Sequence, residues 1–264
     1  MLVDSVGTGG DGLNTFNIST AAAFVAAGAG LKVAKHGNRA ASGICGSADV
    51  LEELGVRIDL PPEGVERCIR ESGIGFMFAQ TYHPSMRHAA AVRREIGIRT
   101  VFNILGPLTN PAGAQSELVG VAFPELGEKM AAVLGLLDTH HSLIVHGNGG
   151  IDEMTLSGDT AVWEVNQGRV SNWTLSVADT GLPVTPIEAV RGGGKVANAK
   201  TMRSLLGGEG GPVRDYVLLN SAGVLLVGDL VKNIRDGVQL AAQTIDSGAA
   251  KDRMEFMIEL SQGG

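Results

Sequence analysis

The fold of this chain is decided by one stretch near its start, residues 2–20, which reads LVDSVGTGGDGLNTFNIST. Leu2–Val6 is an apolar run of strand length, and the glycine-rich segment Gly7–Asp11 follows it directly. Asn17–Thr20 then supplies helix N-cap residue types ahead of the apolar run Ala21–Ala29. A glycine loop between a strand and a helix start exposes backbone N–H groups that bind anions, so we expect a phosphate site. A tight turn and simple helix capping explain the same residues, and the spacing matches neither the Walker nor the dinucleotide pattern.

The rest of the sequence repeats this alternation of strand-length apolar runs with amphipathic helical segments. The pattern is typical of an α/β protein, and we expect a large domain with a central, mostly parallel sheet flanked by helices. Further strands are predicted at Lys32–Lys35, Val56–Asp59, Gly75–Ala79, Leu118–Phe123, Ser142–Val145, Ala161–Val165 and Arg169–Leu175, the last two forming a hairpin. Further helices are predicted at Ala48–Leu54, from Pro62, at Pro84–Ile96, at Glu125–Leu137, and at about 197–206, 212–226, 229–246 and 249–260.

The composition limits the classes of function that the chain can have. It has 264 residues, 44% of them hydrophobic, and 21 basic residues against 28 acidic ones give a net charge of -7. An acidic balance argues against a nucleic-acid partner and favours small-molecule substrates. The longest apolar run, Ala21–Leu31, is too short to span a bilayer, so no membrane partner is expected. With Cys45 and Cys68 as its two cysteines and no signal-peptide pattern, the chain is predicted to be cytoplasmic and reduced.

Two further polar clusters follow predicted strands. Lys35–Arg39 lies at a strand end, where ligands gather in open α/β sheets, and Ser47 begins the next helix as an N-cap and second anion contact. Asp152 and Glu153 follow a strand and the loop Gly147–Gly150. Adjacent carboxylates suit Mg²⁺, which takes one or two carboxylates together with water and phosphate oxygens. An exposed Asp-Glu pair is also ordinary surface, so the metal hypothesis depends on the nearby phosphate loop.

Taken together, the clusters resemble the anthranilate phosphoribosyltransferases over almost the whole chain. The segments that carry the resemblance are VGTGGD (6–11), TFNIST (15–20), KHGNR (35–39), GSADVLE (46–52), HPSM (83–86), VRR (92–94), RTVFNILGPLTNP (99–111) and GIDE (150–153). The resemblance implies transfer of a phosphoribosyl group from 5-phosphoribosyl 1-pyrophosphate (PRPP) to anthranilate in tryptophan biosynthesis. It further implies one phosphoribosyltransferase α/β domain over residues 1–264.

The resemblance assigns a role to each matching residue. PRPP binding is implied for Gly7, Thr8, Gly9, Gly10, Asp11, Thr15, Asn17, Ser19, Thr20, Lys35 and Ser47. Anthranilate binding is implied for Gly7, Asn38, His83, Arg93 and Gly106, and Mg²⁺ binding for Ser19, Asp152 and Glu153. Arg93 is the natural partner of the anthranilate carboxylate. No residue is assigned as a general acid or base, because metal and Lys35 are expected to stabilise a transition state that resembles an oxocarbenium ion.

One departure and two alternatives accompany the resemblance. Family members carry a helical segment ahead of the glycine loop, which supplies the homodimer interface and part of the acceptor channel; this sequence lacks it. Residues of about 84–97 are therefore expected to be a remnant of the small helical domain, with apolar surface exposed. A pyrimidine nucleoside phosphorylase shares the fold and the Lys-His-Gly pattern but needs no Asp-Glu pair. A truncated, non-catalytic protein that binds the donor or nucleic acid is the alternative from another class.

Overall fold

The computed structural model describes residues 1–40, 43–86, 88, 95 and 100–263, and it has a seven-stranded sheet in the order β3-β2-β1-β4-β5-β6-β7. The strands are β1 Leu2–Gly7, β2 Lys32–Gly37, β3 Ile74–Phe78, β4 Ser116–Gly120, β5 His141–Gly147, β6 Thr160–Asn166 and β7 Arg169–Leu175. The first five strands of this order pair in parallel, and β6 and β7 continue the sheet antiparallel. The predicted mostly parallel sheet is confirmed, as is the hairpin, whose turn places Gln167 and Gly168 at positive φ.

The strand order reverses at β1. The chain runs from β1 to β2 and β3 on one side, then returns to place β4 on the other side of β1. Val3–Gly7 pairs with Ser116–Gly120 in register, so Gly7 and Gly120 lie side by side where the two strands end. In open α/β sheets the carboxyl ends of strands at such a reversal form the crevice that binds ligands. The topology therefore directs attention to this pair of glycines.

Helices cover both faces of the sheet. They are α1 Ile18–Gly28, α2 Ser47–Leu54, α3 Pro62–Ser72, α4 Ala79–Tyr82, α5 Phe102–Leu105, α6 Gly127–Leu136, α7 Val177–Thr180, α8 Lys195–Leu206, α9 Pro212–Val227, α10 Ile234–Asp246 and α11 Ala249–Ser261. The main core contains α1 and α9, which are buried over most of their length. The alanines among residues 21–27 let α1 pack closely between the sheet and its neighbouring helices. No helix in the described ranges is long and apolar enough to cross a membrane.

One predicted strand is wrong, one predicted helix is present but begins later than expected, and a third element is only partly described. Val56–Asp59 forms no strand, because no neighbouring strand pairs with it; the Arg57 N–H donates to the Ser261 hydroxyl instead (3.0 Å). The helix predicted at 229–246 begins at Ile234, after the side chain of Asn233 accepts the Asp236 N–H as an N-cap. The helix predicted at Pro84–Ile96, and with it the small-domain remnant at about 84–97, lies mostly outside the described residues.

Candidate active site

The glycine loop begins where β1 ends. The Thr8 N–H donates to the Gly120 carbonyl (2.8 Å), which extends the pairing of β1 with β4 by one residue. Gly9 and Gly10 then take φ values of 68° and 78°, which residues with a side chain adopt only at a cost. Both glycines are exposed. The loop consequently presents bare backbone above the strand reversal, as an anion cradle requires.

Asp152 crosses directly over the two strand ends. A Cβ atom on Gly120 would overlap the Asp152 carbonyl oxygen, and one on Gly7 would strike the Asp152 carboxylate. Both positions therefore need glycine because of this crossing. The Asp152 carboxylate accepts the Gly9 N–H (Oδ2 to N, 2.7 Å), which joins it to the glycine loop. The predicted pyrophosphate loop and the predicted metal ligand thus form one site.

Glu153 lies at the start of helix α1. Its carboxylate accepts the Ser19 N–H (Oε1 to N, 3.2 Å), where the helix dipole favours negative charge. Burial raises the pKa of Asp152 to about 7, with Asp11 adding repulsion, and raises the pKa of Glu153 to about 8, with Asp152 adding repulsion. The carboxylates are therefore placed where either a proton or a cation would stabilise them.

The donor set of this cluster fits a magnesium ion. It offers two half-buried carboxylates and the Ser19 hydroxyl, all oxygen atoms, as Mg²⁺ prefers. Within the described residues, no three His, Cys, Asp or Glu side chains form a ready-made ligand set. A site with only two protein carboxylates agrees with Mg²⁺ chemistry, because this ion keeps several waters and takes further oxygens from substrate phosphates. Asp152, Glu153 and Ser19 are the residues that would hold it.

Lys35 is the buried cation of the site. Its side chain is 2% exposed, and its ammonium donates to the Ser5 carbonyl (2.6 Å) and to the Ser19 hydroxyl (3.5 Å). Burial lowers the pKa of Lys35, while the carboxylates of Asp4 and Glu153 oppose that change. A cation fixed in this way lies beside the donor loop with little freedom to reorganise, which suits stabilisation of a leaving anion.

The remaining predicted donor residues line the same region with different local roles. The Asn17 amide donates to the Cys45 carbonyl (3.0 Å) and accepts from Asn198 (2.9 Å). Thr15 forms an isolated bridge with Arg191, and the Asp11 carboxylate accepts the Leu13 N–H (3.1 Å).

Two more predicted donor residues are hydroxyl side chains. Among the described atoms, the Thr20 hydroxyl is buried without a hydrogen-bond partner. Ser47 begins α2, and its hydroxyl donates to the Asn38 carbonyl (3.2 Å), so it caps the loop rather than its own helix.

The predicted acceptor residues are only partly brought together. The His83 ring packs edge-on against His36, with ring centroids 4.9 Å apart, and His36 also contacts the Gly106 backbone. Burial and the neighbouring His83 lower the pKa of His36 to about 4. Asn38 is exposed at the end of β2, and Arg93 lies outside the described residues. His36, which belongs to the predicted Lys35–Arg39 cluster but received no binding role from the sequence, links two of the predicted acceptor positions, His83 and Gly106.

Arg39 turns away from this cluster. Its guanidinium pairs with Asp49 (3.0 Å) and Glu52 (2.9 Å) and lies over the Phe78 ring, 5.6 Å from its centroid. The prediction that the whole Lys35–Arg39 cluster gathers at the ligand site is therefore wrong for Arg39, because two acidic residues on α2 bind it at the protein surface.

Sequence reasoning missed a buried polar layer beneath the site. The Asp4 carboxylate accepts the His36 N–H (3.3 Å) and the Asn110 amide (2.7 Å), and Asn110 also donates to the Ala34 carbonyl (2.9 Å). Glu117 lies opposite Asp4 in the register, and burial raises its pKa well above the usual value. An acidic residue inside an apolar strand was the available signal, since buried carboxylates need specific partners.

The fold and the site define an α/β domain in which an exposed glycine loop meets a pair of carboxylates. Residues 1–251 match the family described as Glycosyl transferase family, a/b domain. Anthranilate phosphoribosyltransferase from Chloroflexus aurantiacus is 57% identical over 264 residues, covering 99% of this chain and 78% of that relative. The same enzyme from Thermomicrobium roseum is 56% identical over 263 residues, covering 98% and 76%. The chain belongs to the anthranilate phosphoribosyltransferase family.

Solved structures agree with this assignment. The crystal structure of anthranilate phosphoribosyltransferase from Thermus thermophilus matches with a TM-score of 0.95 and 46% identity, over 99% of this chain and 78% of that one. The Saccharomyces cerevisiae enzyme in complex with PRPP and Mg matches with a TM-score of 0.92 and 32% identity, over all of this chain and 74% of that one. The match to both enzymes covers the complete sheet and the candidate site.

Proposed function

We propose that this chain transfers the phosphoribosyl group of PRPP to the amine of anthranilate, with Mg²⁺ held by Ser19, Asp152 and Glu153. The observation that carries the proposal is the crossing of Asp152 over Gly7 and Gly120, which joins the carboxylates to the glycine loop. The yeast relative was solved with PRPP and Mg, which supports the same ligands here.

The reaction breaks the bond between C1 of the ribose and pyrophosphate and forms a bond from C1 to the anthranilate nitrogen. Pyrophosphate leaves with the electron pair, and the new ammonium loses one proton to solvent. Bound Mg²⁺ would neutralise charge on the departing pyrophosphate. Backbone N–H groups of the glycine loop and the Lys35 ammonium stabilise the same charge from the protein side. Positioning and electrostatics therefore supply the catalysis, without a covalent intermediate on the protein.

The acceptor half of the proposal assigns anthranilate to Asn38, His83, Arg93 and Gly106. The contact of His36 with both His83 and Gly106 supports a shared wall for this substrate. A neutral His36, with a pKa of about 4, would present the acceptor with an uncharged ring. Recognition of the anthranilate carboxylate would therefore depend on Arg93.

The direct test is a steady-state assay of the whole chain. Loss of anthranilate fluorescence is measured with PRPP, with and without Mg²⁺, beside phosphorolysis of thymidine and uridine with inorganic phosphate. We expect Mg²⁺-dependent consumption of anthranilate and no phosphorolysis. Phosphorolysis without metal, or anthranilate consumption unaffected by a chelator, would contradict the proposal. Isothermal calorimetry of PRPP binding in Mg²⁺ separates an inactive binding protein from an enzyme.

A further inference from the structure

The carboxylate pair lies in a loop, and a distant helix holds that loop. No strand or helix contains Asp152 or Glu153; the loop is tied by a bridge between Gly147 and Ile151. Immediately after the pair, the Met154 N–H donates to the Asn220 Oδ1 (2.9 Å), and the Asn220 Nδ2 donates to the Met154 carbonyl (3.0 Å). One amide thus satisfies both backbone groups of one residue, as a neighbouring strand would.

The Asn220 amide is itself fixed. It is 0% exposed in the middle of helix α9, and its Nδ2 also donates to the Tyr216 carbonyl one turn earlier (2.9 Å). Both donor hydrogens and the acceptor oxygen are therefore engaged. Asparagine is a poor residue for a helix interior, so its place here is explained by the contact with Met154. Removal of the amide would leave two buried backbone groups without partners.

Two neighbouring residues on α9 also lie against this loop. Four residues before Asn220, the Tyr216 hydroxyl contacts the Thr155 hydroxyl (3.2 Å). Three residues after it, a Cβ on Gly223 would approach the Met154 sulfur to 2.9 Å. Residues at these spacings share one face of a helix, so α9 presents a continuous surface to the loop.

We infer that Asn220 is a positioning residue, which fixes the backbone of Met154 and thereby aims Asp152 and Glu153 at the metal. On the far side of the loop, the two carboxylates accept the backbone N–H groups of Gly9 and Ser19, and the Asp152 carboxylate also contacts the Asp11 side chain. The backbone next to the pair is held from the helix side, through the two hydrogen bonds between Met154 and Asn220. Ligand sets lose affinity when the groups that orient them are removed. The inference rests on the proposed function, since it gives Asn220 a role at that same metal site.

The test compares Asn220→Ala with Val217→Ala, a substitution of another fully buried residue of α9 whose side chain has no hydrogen-bonding group. Binding of Mn²⁺ to the whole chain with PRPP is followed by electron paramagnetic resonance, and PRPP binding in Mg²⁺ by calorimetry. For Asn220→Ala we expect the half-saturating metal concentration to rise at least about tenfold, with the KM for anthranilate unchanged. The control should lose a similar amount of thermal stability and keep wild-type metal binding.

Asn220→Asp keeps the volume and the acceptor for the Met154 N–H but loses the donor, and it serves as the second variant. Intermediate metal binding in this variant supports the inference. If circular dichroism shows that Asn220→Ala does not fold, the comparison is made with Asn220→Asp instead. Wild-type metal binding in a folded Asn220→Ala or Asn220→Asp, or an equal loss of metal binding in Val217→Ala, would overturn the inference about Asn220 and leave the proposed function standing. A wild-type chain that shows no Mg²⁺-dependent PRPP binding would refute the proposed function first.

Discussion

The ionised carboxylates of Asp152 and Glu153 should lower the free energy of unfolding, and neutral replacements should raise it again. In the double variant Asp152→Asn and Glu153→Gln, the amide oxygens can still accept the N–H groups of Gly9 and Ser19. Burial raises the folded-state pKa of Asp152 from 3.8 to about 7 and that of Glu153 from 4.5 to about 8. Both groups ionise in the unfolded chain near their ordinary pKa values, so between those values and the folded-state ones the folded state binds more protons and loses stability as the pH rises; above the folded-state values the loss is complete.

The size of the effect follows from the same pKa values. Each tenfold difference in acidity corresponds to about 1.4 kcal/mol, so full ionisation of the pair at pH 8 would cost several kcal/mol if water were excluded. The carboxylates are only half-buried, and solvent screening reduces the expected net cost to about 2 kcal/mol. For a chain of this length that free energy corresponds to a change in Tm of roughly 4–6 °C.

The assay is thermal unfolding of both proteins in a chelator at pH 8 and at pH 5. The double variant should melt higher at pH 8, show little difference at pH 5, and have no transferase activity with Mg²⁺ and PRPP. Glu209→Gln, at an exposed site, is the matched control and should change neither Tm nor activity. A double variant that melts with the wild type at pH 8, or that gains equally at both pH values, would refute the electrostatic reasoning.

Three further substitutions test separate parts of the site. In Gly120→Ala the added methyl group would overlap the Asp152 carbonyl oxygen, so PRPP binding in Mg²⁺, measured by calorimetry, should weaken at least about tenfold. Unchanged binding would contradict the close approach of Asp152 to Gly120. Lys35→Met should lower kcat about a hundredfold in steady-state assays, as loss of a fixed charge-stabilising donor does, and wild-type kcat would remove Lys35 from catalysis. Arg93→Ala should raise the KM for anthranilate at least about tenfold and leave the KM for PRPP near the wild-type value; equal changes in both would count against its acceptor role.

Local patterns were enough to predict most of the sheet and the centre of the site. Strand β1 and the glycine loop are encoded in adjacent residues, and the hairpin of β6 and β7 carries its own turn signal at Gln167 and Gly168. The failed strand at Val56–Asp59 shows the limit of that reasoning. Apolar alternation makes a segment extended, but a strand also needs a partner, which only the folded chain provides.

The missed features all depend on contacts between distant residues. Gly120 is an unremarkable strand residue in the sequence, and its need for glycine arises only from the carbonyl of Asp152 above it. Asn220 reads as one polar residue in an apolar helix, and its partner Met154 lies 66 residues away. Asp4 gave a usable signal, since a carboxylate within an apolar strand requires buried partners. Neither its link to Asn110 nor that to His36 follows from spacing.

The bond from Gly9 to Asp152 spans 143 residues, and that from Ser19 to Glu153 spans 134. Closure of such long loops is entropically costly and slows folding, because distant segments must meet before their contacts contribute. We therefore expect the cluster to form only after β4, β5 and helix α9 have docked on β1. A nascent chain released from the ribosome before α9 would contain the glycine loop and both carboxylates but would lack Asn220. Metal binding should consequently appear late in refolding, and it would report completed assembly of the sheet rather than collapse.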